Sequence, residues 1–323
     1  MGLYMKILPV LLLFAALVGM KVRAFRSRGV VGTHHSRASE FSKRGSSAGG
    51  DVGSSTAPLS VHVPSGLLAV YKPQNWTSSD VVNKIKFTLQ RGGQELAGGR
   101  KCKIKVGHGG TLDPLAEGVL VLGIGDGTKL MGQFLSGTKE YKGTALLGAE
   151  TDTLDSEGVV VETVDSTHIS RDDLDKALAL FRGEIMQLPP MYSALKKDGK
   201  KLYELARAGI EVEREKRPVT IYSIELVDDP AKAIQLPAFA LAVSCSGGTY
   251  IRTLISDIAR ACKGRAHMTG LVRCKQGPFV LADCVHEQDW KYQDLVDALH
   301  RHNVLAGLKE DDLRNAASFA NPK

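Results

Sequence analysis

Between Gly107 and Leu130 the chain reads GHGGTLDPLAEGVLVLGIGDGTKL, with seven glycines distributed around Asp113, which stands directly before Pro114. A carboxylate can serve as nucleophile, general base or fixed charge, and each task needs it aimed and paired. Asp is also a favoured helix cap and Pro a favoured first helical residue, so DPLAEG equally reads as the start of a short helical turn. Capping does not ask for Gly107, Gly109 and Gly110 in front. Glycine permits unusual dihedrals and the close approach of another group.

Other stretches offer partners for such a carboxylate. In CSGGTYIRTL, Tyr250 and Arg252 stand two apart, so in an extended conformation they face the same side. An Arg beside Asp113 would favour the charged carboxylate and fix its orientation through paired hydrogen bonds. By position alone, a surface Arg at the start of a helix serves equally. Tyr141 opens the strand-like KEYKGTALL, where an aromatic is sheet packing or a face on which a base stacks, packing being the commoner use. Basic residues gather in SALKKDGKKLYELARAGIEVEREKR: Lys196, Lys197, Lys200, Lys201, Arg207, Arg214, Lys216 and Arg217. Five acids lie among them, which leaves a solvated helix face as the plain alternative.

Three other motifs fail on inspection. GIGDGTK resembles a phosphate loop, but Thr128 precedes Lys129 where that loop needs Lys first. GHGG resembles an esterase oxyanion loop, yet the GxSxG pattern falls at Gly45–Gly49, away from any strand-to-helix elbow. Asn75-Trp76-Thr77 fits a glycosylation sequon of a length that arises by chance.

The elements that must position these residues are legible from patterning. GLLAVYKP is a strand, closed by Lys72-Pro73, and Thr77-Ser78-Ser79-Asp80 caps a helix through VVNKIKFTLQ. VLVLGIG is a buried strand, YKGTALLGAETDTLDSEGVVV a hairpin turning near Asp155–Gly158, and RDDLDKALALFRG an amphipathic helix. FALAVSCS is a further strand, and TYIRTLISDIARACKG leads into a helix ended by Gly264. Strands and helices mix without a βαβ repeat, so the fold class is α+β rather than a doubly wound sheet.

The ends of the chain read differently. Ile7–Met20 is an apolar run after Lys6, too short to span a bilayer and placed like a signal-peptide core. A basic, Ser-rich segment follows, so residues 1–44 read as a targeting leader and 45–64 as a disordered linker. The formal charge of +7 belongs to that leader, which carries eight Lys/Arg; beyond it 34 basic residues meet 34 acidic ones. RNA binding must therefore rest on local clustering. Five scattered cysteines show neither a CxxC pair nor zinc spacing and read as reduced, mostly buried thiols. The domain is expected over 65–280, with 281–323 a short helical tail too small for a second domain.

Read together, GLLAVYKPQNWTSSDVV, VGHGGTLDPLAEGVLVLGIGDGTKL, YKGTALLGAETDTLDSEG, QLPPMYSALKKDGKKLYELARAGIEV, RPVTIYSIEL, CSGGTYIRTLISDIA and AHMTGLVRCKQGPF resemble the TruB family of pseudouridine synthases nearly end to end from Gly66 to Phe279. The resemblance implies a mixed, largely antiparallel sheet flanked by helices, with an RNA-binding cleft across it. It implies isomerisation of the T-loop uridine at position 55 of tRNA, with no cofactor and no metal. Asp113 would be the nucleophile and Arg252 its partner. Tyr141 would stack on the uracil and is a candidate for taking the C5 proton. Tyr250 would line the pocket, Leu271 pack against the base, Lys72 support the floor, and His108 fill the space left by the extruded nucleotide. Lys196, Lys197, Lys200, Lys201 and Arg207 would belong to an RNA-gripping loop, and the glycines would let backbone approach the flipped nucleotide.

Two departures accompany the resemblance. Gly247 stands where family members commonly carry Lys, and the tail is too short for the PUA domain of bacterial relatives. An RNA-guided synthase subunit and a tRNA-folding chaperone are the competing readings. The expected partner is the T-arm of tRNA, bound by a monomer with no obligatory protein partner and no membrane attachment once mature. The two-part leader, with Arg23-Ala24-Phe25 resembling a cleavage context, points to a plastid enclosed by extra membranes, with the mitochondrion second.

Overall fold

The computed structural model describes residues 63–228 and 235–309. The leader, all but the end of the linker and residues 310–323 of the tail lie outside the described residues.

Along the chain, β1 (Gly66–Lys72) leads into α1 (Ser78–Leu96), β2 (Val106–His108), β3 (Ala116–Ile124) and α2 (Met131–Ser136). Next come β4 (Lys139–Leu147), β5 (Ala149–Thr151), β6 (Val160–Thr163), α3 (Arg171–Leu178) and β7 (Gly183–Gln187). The short strands β8 (Lys196–Lys197) and β9 (Lys200–Lys201) precede α4 (Leu202–Arg207), β10 (Arg217–Leu226) and β11 (Ala238–Cys245). Finally α5 (Ile251–Ala261), β12 (Ala266–Gln276), β13 (Phe279–Val280) and α6 (Tyr292–Leu305) complete the described chain.

One sheet organises these elements in the order β1-β3-β12-β4-β11-β10-β7, with β2 beside β3 and β13 beside β12. Only the β3–β12 pair within it is parallel, so the sheet is mixed and largely antiparallel, as expected. β3 is buried on both faces, which is why its sequence runs apolar without alternation. Leu120, Leu122 and Ile124 pack with Val81, Ile85 and Leu89 of α1, whereas Val119 and Val121 pack on the other face with Phe279 and Leu130. The Thr77–Asp80 capping box starts α1, Asp80 N–H donating to Thr77 Oγ1 (3.1 Å) and Thr77 N–H to Asp80 Oδ2 (2.9 Å).

The expected hairpin over Tyr141–Val161 divides in the structure. β4 pairs with β11 and β12, and the turn at Asp152–Gly158 joins β5 to β6 in a separate two-stranded sheet. Continuous β propensity does not reveal that the chain leaves one sheet at Gly148, which has a φ of +105°.

The segment after Phe279, expected as a tail, is built into the same core. Val285, Trp290, Leu295, Ala298 and Leu299 pack with Val70, Val81 and Ile85. The outer edge of β1 is also closed there: Tyr71 N–H donates to Val285 O (3.0 Å), Ala69 N–H to His302 Nδ1 (3.1 Å) and Leu67 N–H to Asn303 Oδ1 (2.9 Å). An exposed edge strand would otherwise template pairing with another chain.

Candidate active site

Asp113 lies in the connection between β2 and β3. The segment Asp113–Ala116 is a turn closed by Ala116 N–H donating to Asp113 O (3.0 Å), so the helical start that DPLAEG also allowed does not form. Beneath the turn the fully buried Lys72 side chain donates to Ala116 O (2.6 Å), Pro73 O (2.8 Å) and Pro114 O (3.3 Å). Burial pulls the Lys72 ammonium down to about 8, against the opposing pull of Asp113 and Glu117. Lys72 thus holds the turn from behind and is not among the residues lining the cavity in front of Asp113.

That cavity, about 380 Å³, is lined by Asp113, Tyr141, Tyr250, Arg252 and Leu271 together with Gly110, Lys139 and Arg273. Arg252 Nε donates to Asp113 Oδ2 at 2.9 Å, with the Arg side chain 3% exposed and the Asp 33%. The rest of the guanidinium is spent on Thr153 O (2.9 Å) and Tyr192 O, so it cannot swing away without orphaning two carbonyls. Arg252 is the second residue of α5, not part of an extended strand. Tyr250 caps that helix, its N–H donating to Gln187 Oε1 (2.8 Å) and its O accepting from Gln187 Nε2 (3.0 Å). Burial raises the Tyr250 hydroxyl, opposed by Ser193 and Arg252.

Tyr141 and Leu271 stand on the neighbouring central strands β4 and β12. Burial drives the Tyr141 phenol up, the Arg273 guanidinium opposing it, so the ring carries its proton at neutral pH. His108 lies at the end of β2 outside the cavity lining, its Nδ1 accepting from Gly110 N–H (3.3 Å), and burial lowers it toward the neutral imidazole.

The basic cluster is a hairpin and a short helix rather than one helix face. Asp198 and Gly199 both take positive φ (51° and 81°) in the turn between β8 and β9, the geometry that a two-residue hairpin demands. Lys196, Lys197, Lys200 and Arg207 are exposed and Lys201 half-exposed. Just before the hairpin, Ser193, Ala194 and Leu195 line the cavity, so this segment forms part of its wall.

The glycines do not all play one part. Gly110, with φ +139°, lines the cavity and takes a backbone conformation that favours glycine. Gly118, with φ +105°, lies so close to the Arg273 backbone that a Cβ would overlap its carbonyl. The latter glycine is required by strand packing. Gly247 is equally constrained: its N–H donates to Ser136 O (3.1 Å), and a Cβ there would collide with the Leu135 carbonyl. The Lys common at that position has no room against α2 as it is placed here.

Two charged cavity residues escaped the sequence reading. Arg273, 1% exposed, donates to Val119 O (2.7 Å) and Gly110 O (3.2 Å), and Lys139, 4% exposed, donates to Leu135 O and Gly137 O (both 2.7 Å). Each stands two residues from a named one, Leu271 and Tyr141, and period-two alternation was the signal that could have found them. Among the described residues no group of three His, Cys, Asp or Glu could hold a metal, and no helix is long and apolar enough to cross a membrane.

Comparison with known proteins bears on what this pocket is. Residues 99–251 match the family model for TruB family pseudouridylate synthase (N terminal domain). The chain is similar to pseudouridylate synthase TRUB1 of Homo sapiens, 44% identical over 247 residues, which cover 75% of this chain and 69% of the relative. It is also similar to tRNA pseudouridine synthase B of Geobacillus thermodenitrificans, 46% identical over 224 residues covering 68% and 70%. Among solved structures it resembles a chain of a Cbf5-Nop10-Gar1 complex with a TM-score of 0.51 and 27% identity. That likeness covers 80% of this chain but only 60% of the other. Identity of this depth over most of two full-length relatives means that the chain belongs to the TruB family of pseudouridylate synthases.

Proposed function

We propose that this protein isomerises the T-loop uridine at position 55 of tRNA to pseudouridine, acting on the T-arm without a guide RNA, a cofactor or a protein partner. The carrying observation is the Asp113 carboxylate at the cavity wall, held by an Arg252 that is itself locked on two carbonyls. Such a carboxylate is pre-aimed at the sugar of a nucleotide flipped into the cavity. The bond from N1 to C1′ breaks, the base turns while held, and C5 bonds to C1′. Tyr141 offers its ring to the uracil, Leu271 and Tyr250 enclose it, and Lys72 stiffens the turn beneath Asp113. His108 takes the place the nucleotide leaves in its loop. As a phenol at neutral pH, Tyr141 could take the C5 proton only by passing on its own, which favours its stacking role. Lys196, Lys197, Lys200, Lys201 and Arg207 meet backbone phosphates.

The test is tritium release from a T-arm stem-loop labelled at uracil C5, using the parent protein and Asp113→Asn. Release by the parent alone supports the reading, with a loss of roughly 10⁴-fold or more in the variant, the scale seen when a group acting in every step is removed. Absence of release with both stem-loop and intact tRNA overturns it. The guided reading has in its support only the Cbf5 likeness, at lower identity than the tRNA pseudouridine synthase relatives, and predicts that activity on tRNA requires a guide RNA.

Delivery to a plastid is part of the proposal and rests on the composition of residues 1–44 alone. Imaging residues 1–64 fused to a fluorescent protein tests it, and mitochondrial or diffuse signal refutes it.

A further inference from the structure

The charges lining the cavity do not balance. Arg252 is matched by Asp113, but Lys139 and Arg273 line the same space and donate to backbone carbonyls. The ionisable groups facing Lys139 are the Arg273 guanidinium from β12 and the Cys245 thiol from β11, and burial draws its ammonium down to about 8. Burying a cation without a carboxylate costs several kcal/mol, so a site that keeps two of them is built for negative charge that arrives with the substrate or develops in the reaction.

The geometry says which. Lys139 and Tyr141 are two apart on β4, hence on one face, and Arg273 is the cross-strand partner of Tyr141 on β12. The two cations therefore flank the ring on which the uracil is proposed to lie. Both are nearly inaccessible to solvent, so a group that meets them must enter the cavity as a flipped base does. An ammonium has three N–H donors, and two of those on Lys139 are engaged by Leu135 O and Gly137 O.

We propose that Lys139, with Arg273, stabilises the uracil anion formed when the N1–C1′ bond breaks, the third N–H of Lys139 donating to a carbonyl oxygen of the base. The inference rests on the pseudouridine synthase reading above. In direct displacement, an Asp113 oxygen supplies the electron pair to C1′ and the pair of the N1–C1′ bond leaves on the uracil, spread over its two carbonyl oxygens. C5 then bonds to C1′, Asp113 departs with its own pair, and C5 loses one proton while N1 gains one. If Asp113 instead helps to expel the base before any bond to the sugar forms, the uracil still leaves as an anion, and Lys139 acts in the same way. The group is in place before the charge appears, so no reorganisation is needed at the moment of cleavage.

The experiment measures single-turnover loss of the N-glycoside at pH 7, by nucleoside digestion and chromatography. It uses T-arm stem-loops carrying uridine or 5-fluorouridine at the target position. Fluorine makes the departing base more acidic and less dependent on help. Lys139→Met should be slower by ~100-fold on uridine, the scale for losing one pre-organised donor. Its RNA Kd should stay within about threefold, and its deficit on 5-fluorouridine should fall to less than about tenfold, well below the uridine value. A rate within threefold of the parent, an equal deficit on both nucleosides, or a loss confined to Kd overturns the proposal, the last assigning Lys139 to the RNA backbone. If Lys139→Met melts with the parent's cooperativity lost, the parent itself decides. Its uridine rate should fall as pH rises through about 8 more steeply than its 5-fluorouridine rate. Lys72 titrates in the same range but holds the Asp113 turn, so its loss would slow both nucleosides alike. A parent inactive on uridine would instead count against the enzyme reading.

Discussion

At the scale of single residues, the site depends on one side chain used completely. Arg252 meets Asp113, Thr153 O and Tyr192 O at once through three different nitrogens of its planar fork, and the single nitrogen of a lysine cannot occupy all three positions. Arg252→Lys should therefore lower kcat/KM by about 10²-fold or more through misplacement of the carboxylate. It should also cost about 2–3 kcal/mol in stability through the orphaned carbonyls, read from urea denaturation. A variant that loses activity with stability intact would mean that water replaces the guanidinium on those carbonyls.

At the scale of elements, the hairpin from Lys196 to Lys201 and the helix α6 do opposite kinds of work. The hairpin is exposed and carries four lysines on a tight turn, so it contributes charge at the cavity wall rather than core packing. Replacing Lys196, Lys197, Lys200 and Lys201 by Gln should weaken T-arm binding. The slope of log K against log salt should become shallower by about 3, close to one counterion per lost phosphate contact. A fluorescence titration at several salt concentrations measures this, and an unchanged slope would place the RNA elsewhere. α6 instead completes the core. Ending the chain after Val280 removes Val285, Trp290, Leu295 and Leu299, each worth about 1.5–3 kcal/mol of burial, together comparable to a whole domain's stability. Such a chain should show no cooperative unfolding by circular dichroism.

At the scale of the whole molecule, stability should carry the signature of a buried histidine. His302 accepts from Ala69 N–H through Nδ1, and its Nε2 lies 2.8 Å from Asp283 O, which assigns the proton to Nε2. Burial lowers its pKa below the ordinary 6.5. Between the folded and unfolded values the unfolded chain holds a proton that the native state does not, so stability rises with pH there. The urea midpoint should be level between pH 6.5 and about 7, below the range in which Lys72 and Lys139 titrate, and fall as pH drops below 6.5, less steeply in His302→Gln. His108, lowered in the same direction, accounts for part of the remaining slope.

Much of this protein is legible in the order of its residues. The buried run of β3, the capped helix α1 and the helix after Tyr250 follow from periodicity and capping, because burial on one or both faces leaves its mark on local composition. The blocks around Asp113, Tyr141 and Arg252 likewise identify the family. Tertiary structure decided what meets what. Asp113 and Arg252 are 139 residues apart and touch only because α5 begins where the β2–β3 turn ends in space. Period-two alternation places Lys139 on the face of Tyr141 and Arg273 on that of Leu271, but only the pairing of β4 with β12 brings both cations beside one tyrosine. The residues after Phe279 look like a tail because a short helix carries no record of the edge strand it closes. Periodicity reports that a residue is buried, whereas its partner is set by register and chain crossing.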